Sequence, residues 1–204
     1  KKRKEIARLE NRLAELGHVQ TDWLRSHEGA ADWIEQFLRL EAAGWKSSDG
    51  AALAKDAGTT AFFRDAVMTG LERGRVELLR LSVNDQVIAM LVNFVAGAGS
   101  FSFKIAYDED FARYSPGILI EKANLQRLSD PAFGWMDSCA VEDHPMINSL
   151  WKGRRDIVRI AFPRKGLRPS LTFAAVRLAE RSWSAAKAFR KSERVDTRSP
   201  DHDA

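Results

Sequence analysis

Between Arg75 and Tyr107 the apolar residues of this 204-residue chain recur with a period near 2, whereas on both sides of that stretch the period is near 3.6. Val76, Leu78, Leu79 and Leu81 mark a first strand at 75–83, Asn84-Asp85 reads as a hairpin turn, and Gln86–Val95 continues as a second strand. Gly97-Ala98-Gly99 turns the chain into a third strand at 100–107, where Phe101, Phe103 and Ile105 alternate with Ser102, Lys104 and Ala106. Three consecutive strands on short turns make an antiparallel meander, and the flanking helical patterns must cover its faces. The chain is therefore expected to be an α/β protein with a mixed central sheet flanked by helices.

The N-terminal side supplies the helices. Residues 3–16 carry Ile6, Leu9, Leu13 and Leu16 on one stripe, with Gly17 as the stop, and 18–24 is a short strand. A helix at 30–43 turns Trp33, Ile34, Phe37, Leu38 and Leu40 inward and ends at Gly44. A turn-rich loop holding Trp45 and Lys46 leads to a helix at 59–73, with Phe62, Phe63, Val67 and Leu71 inward. Beyond the meander, Ser115-Pro116-Gly117 opens a helix at 116–129, with Ser115 suited to the N-cap and Pro116 to the first helical position. A strand at 133–141 follows and can lie parallel to 100–107 because a helix intervenes. Pro145 starts a short helix to about 152, a last strand spans 156–162 before Pro163, and residues 170–190 are helical. The organisation expected is a basic helix and connection to an upstream region at 1–29, a domain at 30–163, a C-terminal helix at 164–190 and a disordered tail at 191–204.

Composition narrows the function classes. The net charge of +4 comes from Lys and Arg gathered at 1–4, at 152–168 and in the tail, interspersed with acids as on a solvated surface. With no aromatic nucleic-acid motif beside it, RNA binding is the last-ranked reading. The single Cys139 excludes an intramolecular disulfide and a thiol-based zinc site, and no His/Cys cluster has metal-ligand spacing, so no metal is expected. No run is long enough to cross a membrane and no signal-peptide pattern is present, which points to the cytoplasm. One place in the pattern is distinctive. If the strands at 100–107 and 133–141 splay, the helix opening at 115–117 aims its N–H groups and dipole into the gap, as an anion cradle.

The residues of that region resemble a known group. Glu41-Ala-Ala-Gly-Trp-Lys46, Phe62-Phe63, Lys104-Ile-Ala-Tyr-Asp108, Phe111-Ala-Arg-Tyr-Ser-Pro-Gly117, Asp137-Ser-Cys, Asp143-His-Pro-Met146 and Trp151 are similar, in this order, to the CelD-like acyltransferase domain. That domain lies within the GNAT N-acyltransferase superfamily, near its FemAB-like branch, and the resemblance spans about 30–162. It implies an acyl-CoA N-acyltransferase (GNAT-like) fold, with acyl-CoA, acetyl-CoA above all, lying between the two splayed strands. Its pyrophosphate would meet Arg113, Tyr114, Ser115, Gly117 and Ile118. The superfamily pattern Gln/Arg-x-x-Gly-x-Gly/Ala is altered here, with Pro116 and Ile118 at its two small-residue positions. Pro116 removes a backbone donor, and aminoacyl-tRNA, the donor of FemAB-like relatives, stays open as an alternative.

Amine acylation by direct attack needs a neutral amine, a stabilised carbonyl oxygen and a proton for the leaving thiolate. By the fold analogy, backbone N–H groups around Ile105–Tyr107 polarise the carbonyl. Asp137, within an apolar strand, and Glu41 are candidate bases, with Asp108 a further carboxylate beside the cleft and His144 an alternative base. Tyr107 and Tyr114, the chain's tyrosines, can each protonate a thiolate. Trp45, Lys46, Lys104 and Asp108 are candidate contacts for a small amine or sugar-amine acceptor. Transfer to such an acceptor in envelope or exopolysaccharide metabolism is the leading expectation. A non-catalytic scaffold of the same fold in polysaccharide assembly is the alternative.

Overall fold

The computed structural model describes residues 1–44, 52–131, 133–158, 160–162 and 165–196. It divides into two compact units, Lys1–Gly153 and Arg154–Ala204. The first holds a five-stranded sheet in the order β1 (Val19–Leu24), β2 (Val76–Val83), β3 (Gln86–Ala96), β4 (Gly99–Tyr107), β5 (Trp135–Asp137). The first three pairings are antiparallel and the last is parallel, so the sheet is mixed as expected.

The helices cover both faces. On one side α1 (Lys2–Ala14) and α4 (Pro116–Leu125) bury Ile6, Leu9, Leu13, Leu119 and Ile120 against Leu79, Leu81 and Leu91. On the other, α2 (Ala30–Ala43) and α3 (Ala57–Glu72) bury Ile34, Phe37, Leu38, Phe63 and Val67 against Leu78, Met90 and Val92. β3 is central and covered on both faces, which is why Ile88 through Val92 are apolar without alternation and fully buried. Each large side chain so buried contributes about 1.5–3 kcal/mol. Within α3 the inward stripe is Thr60, Phe63, Val67 and Leu71; Phe62, expected inward, lies about 100° around the helix and is 74% exposed.

Local chemistry sets the turns. Val83 pairs with Gln86 across Asn84 (φ 48) and Asp85 (φ 66), both left-handed, as a two-residue type I′ turn requires. The Asn84 side chain then accepts from His18 N (2.8 Å) and donates to Leu16 O (2.9 Å), tying the α1–β1 connection to the hairpin. Gly17 (φ 143) lies so close that a Cβ there would overlap the Asn84 amide.

β4 is irregular at Phe103. Val92 pairs with Lys104 and Asn93 with Ser102, so Phe103 is skipped as a bulge. Because Val92 and Asn93 face opposite sides, so do Lys104 and Ser102. Phe103 packs against Phe63 and, edge to face, against Phe94.

Two expected strands differ in the structure. The strand at 133–141 shrinks to Trp135–Asp137, because Asp137 Oδ1 accepts from Cys139 N (2.9 Å) and Cys139 takes a left-handed conformation (φ 51). In the second unit, residues 156–158 and 160–162 form no strand; Ile157 and Phe162 are 83% and 82% exposed, and β-branched side chains without a pairing partner do not make a ladder. α5 (Pro145–Leu150) matches its expectation, and α6 (Leu167–Asp196) runs past residue 190 into the segment expected to be disordered. Among the described residues no helix is long and apolar enough to cross a membrane.

Gly99 opposes Trp135, and its missing Cβ makes room for the indole, which meets Phe101 edge to face at 5.0 Å. Gly99→Val should therefore expel the indole, destabilise the protein by about 1–3 kcal/mol and shift its tryptophan emission. Urea titration followed by fluorescence checks this, and a variant as stable as the parent would show that this contact is dispensable.

Candidate active site

The site begins where β5 leaves β4. Their ladder comprises Gly99–Trp135, Ser100–Met136 and Phe101–Asp137, and beyond it β4 runs on to Tyr107 paired with β3. Arg127 holds the approach to β5: its guanidinium bonds the buried Glu77 (2.9 Å) and lies over the Phe133 ring (4.2 Å). At the far end of β4, a 3₁₀ turn (Glu109–Tyr114) leads into α4. Around Gly117, a Cβ would meet Met146 Sδ of α5 at 3.7 Å and the Tyr107 ring at 3.8 Å. Gly117, Tyr107 and Met146 thus converge at the end of β4, beyond its ladder with β5.

The cradle at α4 has fewer donors than a helix N-terminus can offer. Ser115, expected to cap through its side chain, instead adopts a left-handed backbone (φ 52) and makes no side-chain cap. Its N–H bonds Ala112 O (2.9 Å), while Ile118 and Leu119 N–H both turn back to Ser115 O (2.9 and 3.2 Å). Pro116 has no N–H. Among the described residues the Gly117 amide has no backbone acceptor. Arg113 is exposed and stacks on Tyr114 at 4.8 Å. Tyr114 itself is buried in the α1–α4 core with Arg12 on its ring, so it is a packing residue rather than a phosphate contact.

The candidate bases are engaged elsewhere. Glu41 is buried on α2, pairs with Lys104 across the bulged strand, and accepts from Leu53 N at 2.9 Å. Those two expected site residues do come together, as an internal ion pair that braces β4. Asp137 caps the turn after β5, and His144 caps α5, its Nδ1 accepting from Ile147 N (3.4 Å). Asp108 caps the 3₁₀ turn through Asp110 N (3.0 Å) and receives Gln86 Nε2 (3.3 Å). It also borders a cavity of about 590 Å³ between α2 and the sheet, with Asp22, Asp85, Arg39 and Arg80 on its walls. Trp45 and Lys46 lie outside the described residues.

A residue not singled out from the sequence is the most perturbed group here. Glu121, fully buried on α4, accepts from Trp151 Nε1 at 2.8 Å. Beside it Asn93 Nδ2 donates to Asn124 Oδ1 (2.7 Å), and the Asn124 side chain also faces the Glu121 carboxyl. Burial pushes the Glu121 carboxyl up to about 7, with Trp151 and Asn124 pulling it partway back. The signal available in the sequence was an acid in the apolar run Ile118-Leu119-Ile120-Glu121, one turn after Gly117.

Because this carboxyl binds a proton more tightly folded (about 7) than unfolded (4.5), it favours folding at low pH and loses that contribution as pH rises through about 7. The loss is on the order of 3 kcal/mol. Glu121→Gln, neutral throughout, should gain on the parent by about 2–3 kcal/mol between roughly pH 5 and pH 8 in urea unfolding. A gap that does not change with pH would mean that Glu121 titrates normally.

Comparison with known proteins agrees with this fold. The family described as Acetyltransferase (GNAT) domain matches residues 1–141. No curated protein matches the chain. Among solved structures, a possible acetyltransferase from Clostridium difficile 630 superposes with a TM-score of 0.52 at 11% identity, over 72% of this chain and 99% of that one. A GCN5-related N-acetyltransferase from Ralstonia eutropha JMP134 gives 0.52 at 14% identity, over 71% and 99%. An aminoglycoside acetyltransferase from an uncultured soil metagenomic sample, in complex with sisomicin, gives 0.50 at 13%, over 72% and 97%. With that family matching residues 1–141 of its 204, the chain belongs to the GNAT acetyltransferase domain family.

Proposed function

We propose that this chain is an N-acyltransferase that moves an acyl group from acyl-CoA, acetyl-CoA in the first instance, to a small amine or sugar-amine acceptor. The observation that carries the reading is the end of the β4–β5 ladder at Phe101–Asp137, with Gly117, Tyr107 and Met146 around the opening. Acyl-CoA supplies the activated carbonyl, and the chain's contribution is positioning and charge. Backbone amides of β4 around Ile105–Tyr107 face the carbonyl oxygen. The Gly117 amide, the α4 dipole and the Arg113 guanidinium receive the pyrophosphate, so that with few amides in the loop Arg113 carries much of the compensation.

The acceptor amine attacks the thioester carbonyl directly, without an acyl-enzyme: as the C–N bond forms and the C–S bond breaks, Tyr107 gives its proton to the departing thiolate and regains one, through solvent, from the nitrogen that has attacked. Asp22, Asp85 and Asp108 outnumber Arg39 and Arg80 on the walls of the cavity beside α2, which favours a hydroxyl-rich or weakly cationic acceptor there, and its volume lies in the usual range for small-molecule sites. By its CelD-like resemblance the setting is envelope or exopolysaccharide metabolism.

The depleted loop supports a second reading, a non-catalytic scaffold of the same fold, or a FemAB-like enzyme that takes its acyl group from aminoacyl-tRNA. Calorimetry with acetyl-CoA and longer acyl-CoAs, followed by thiol release against a panel of amines, separates them. Arg113→Ala should weaken donor binding about 3- to 10-fold, the worth of one charge-assisted contact. Tyr107→Phe should lower kcat by about 10- to 100-fold with donor affinity unchanged. Asp137→Asn should be almost silent, because Asn also accepts the Cys139 N–H. If no acyl-CoA bound the intact protein, the CoA-dependent reading would fail; binding without thiol release to any amine would favour the scaffold.

A further inference from the structure

We propose that Glu121 is a positioning residue for acyl transfer, acting through Trp151 to hold α5 as the far wall of the donor groove. The inference rests on the groove assigned in the preceding section. Gly117, Glu121 and Asn124 are spaced i, i+4 and i+7, so they share one face of α4. That face meets the α5 segment at two levels. At the mouth Met146 lies against Gly117, and one turn deeper Trp151 Nε1 donates to Glu121 Oε1 at 2.8 Å. Trp151 caps α5, its own N–H bonding Ile147 O (2.8 Å), so fixing the indole fixes the end of that helix.

Ile147 and Leu150 pack the segment on the core, and regular secondary structure adds little to hold it. The ladder that introduces the segment has three residue pairs, and no strand or helix intervenes between Asp137 and Pro145. α5 is a six-residue helix, too short to be stable without tertiary support. A fully buried carboxyl is a poor choice for packing alone, since an apolar side chain of similar size would avoid the desolvation cost. Its geometry is explained by the acceptor that it offers to Trp151.

The test compares Glu121→Gln, Glu121→Leu and Trp151→Phe in the complete chain. Gln retains the acceptor; Leu and Phe each remove one side of the bond while keeping most of the volume. Glu121→Leu and Trp151→Phe should raise the acetyl-CoA KM about 5- to 10-fold, as expected for one lost buried hydrogen bond, and the double variant should be no worse than either. Glu121→Gln should stay within about twofold of the parent. Amide hydrogen exchange without donor should show residues 145–150 exchanging at least about tenfold faster in Glu121→Leu and Trp151→Phe, with α1 and α2 unchanged. Unaltered exchange in α5, an unaltered KM in both variants, or a Gln variant as impaired as the Leu variant would each overturn the proposal. A parent protein that binds no acyl-CoA would instead defeat the groove reading, and the exchange measurement would still decide whether the Glu121–Trp151 bond holds α5.

Discussion

In β4 the register with β3 skips Phe103, so that Ser102 lies opposite Asn93 and Lys104 opposite Val92. Side chains alternate along a strand, and an inserted residue reverses their faces from that point onward. Before the bulge, Ser102 faces α4 and its polar layer. After it, Lys104 faces α2, where Glu41 awaits it. Without the bulge the lysine would point at α4, Glu41 would be a buried carboxylate without a cation, and Ala106 would leave the α2–α3 core. A buried carboxylate stripped of its partner costs about 3–5 kcal/mol, a substantial part of a domain's net stability.

The same strand then does two mechanical jobs. Its first third pairs with β5 through the Gly99–Trp135 contact, and its remainder runs on to Tyr107 beyond that ladder. Antiparallel pairing with β3 holds β4 on its other side, so the end of the β5 ladder does not unravel the sheet. The α4 N-terminus uses the Ser115 and Ile118 amides within its own loop through the left-handed Ser115, and the face of the helix that carries Gly117 bears a carboxyl one turn below it.

Much of the architecture was legible from period and punctuation. The shift from 3.6 to 2 at Arg75 located the meander, Asn84-Asp85 the type I′ hairpin, and Pro116 and Pro145 the starts of α4 and α5. Each of these rests on interactions within a few residues. Other features were misread for equally physical reasons. Phe62 beside Phe63 satisfies an apolar count but falls off the inward stripe, and the apolar runs at 133–141 and 156–162 have strand composition without a ladder of that length. The candidate bases were chosen by residue type, whereas their roles as caps depend on which backbone amide happens to lie within reach.

The sequence by itself determined the order and kind of the main elements, the double burial of β3 and the glycine and proline at the head of α4, because propensity, periodicity and capping act locally. Only the tertiary structure decided that β5 would stop at Asp137, that Lys104 and Glu41 would meet, and that Glu121 would hold Trp151. Each of those outcomes joins residues far apart in the chain, and each depends on strand register and helix rotation, which a one-residue shift would change without altering the apolar pattern of the segment.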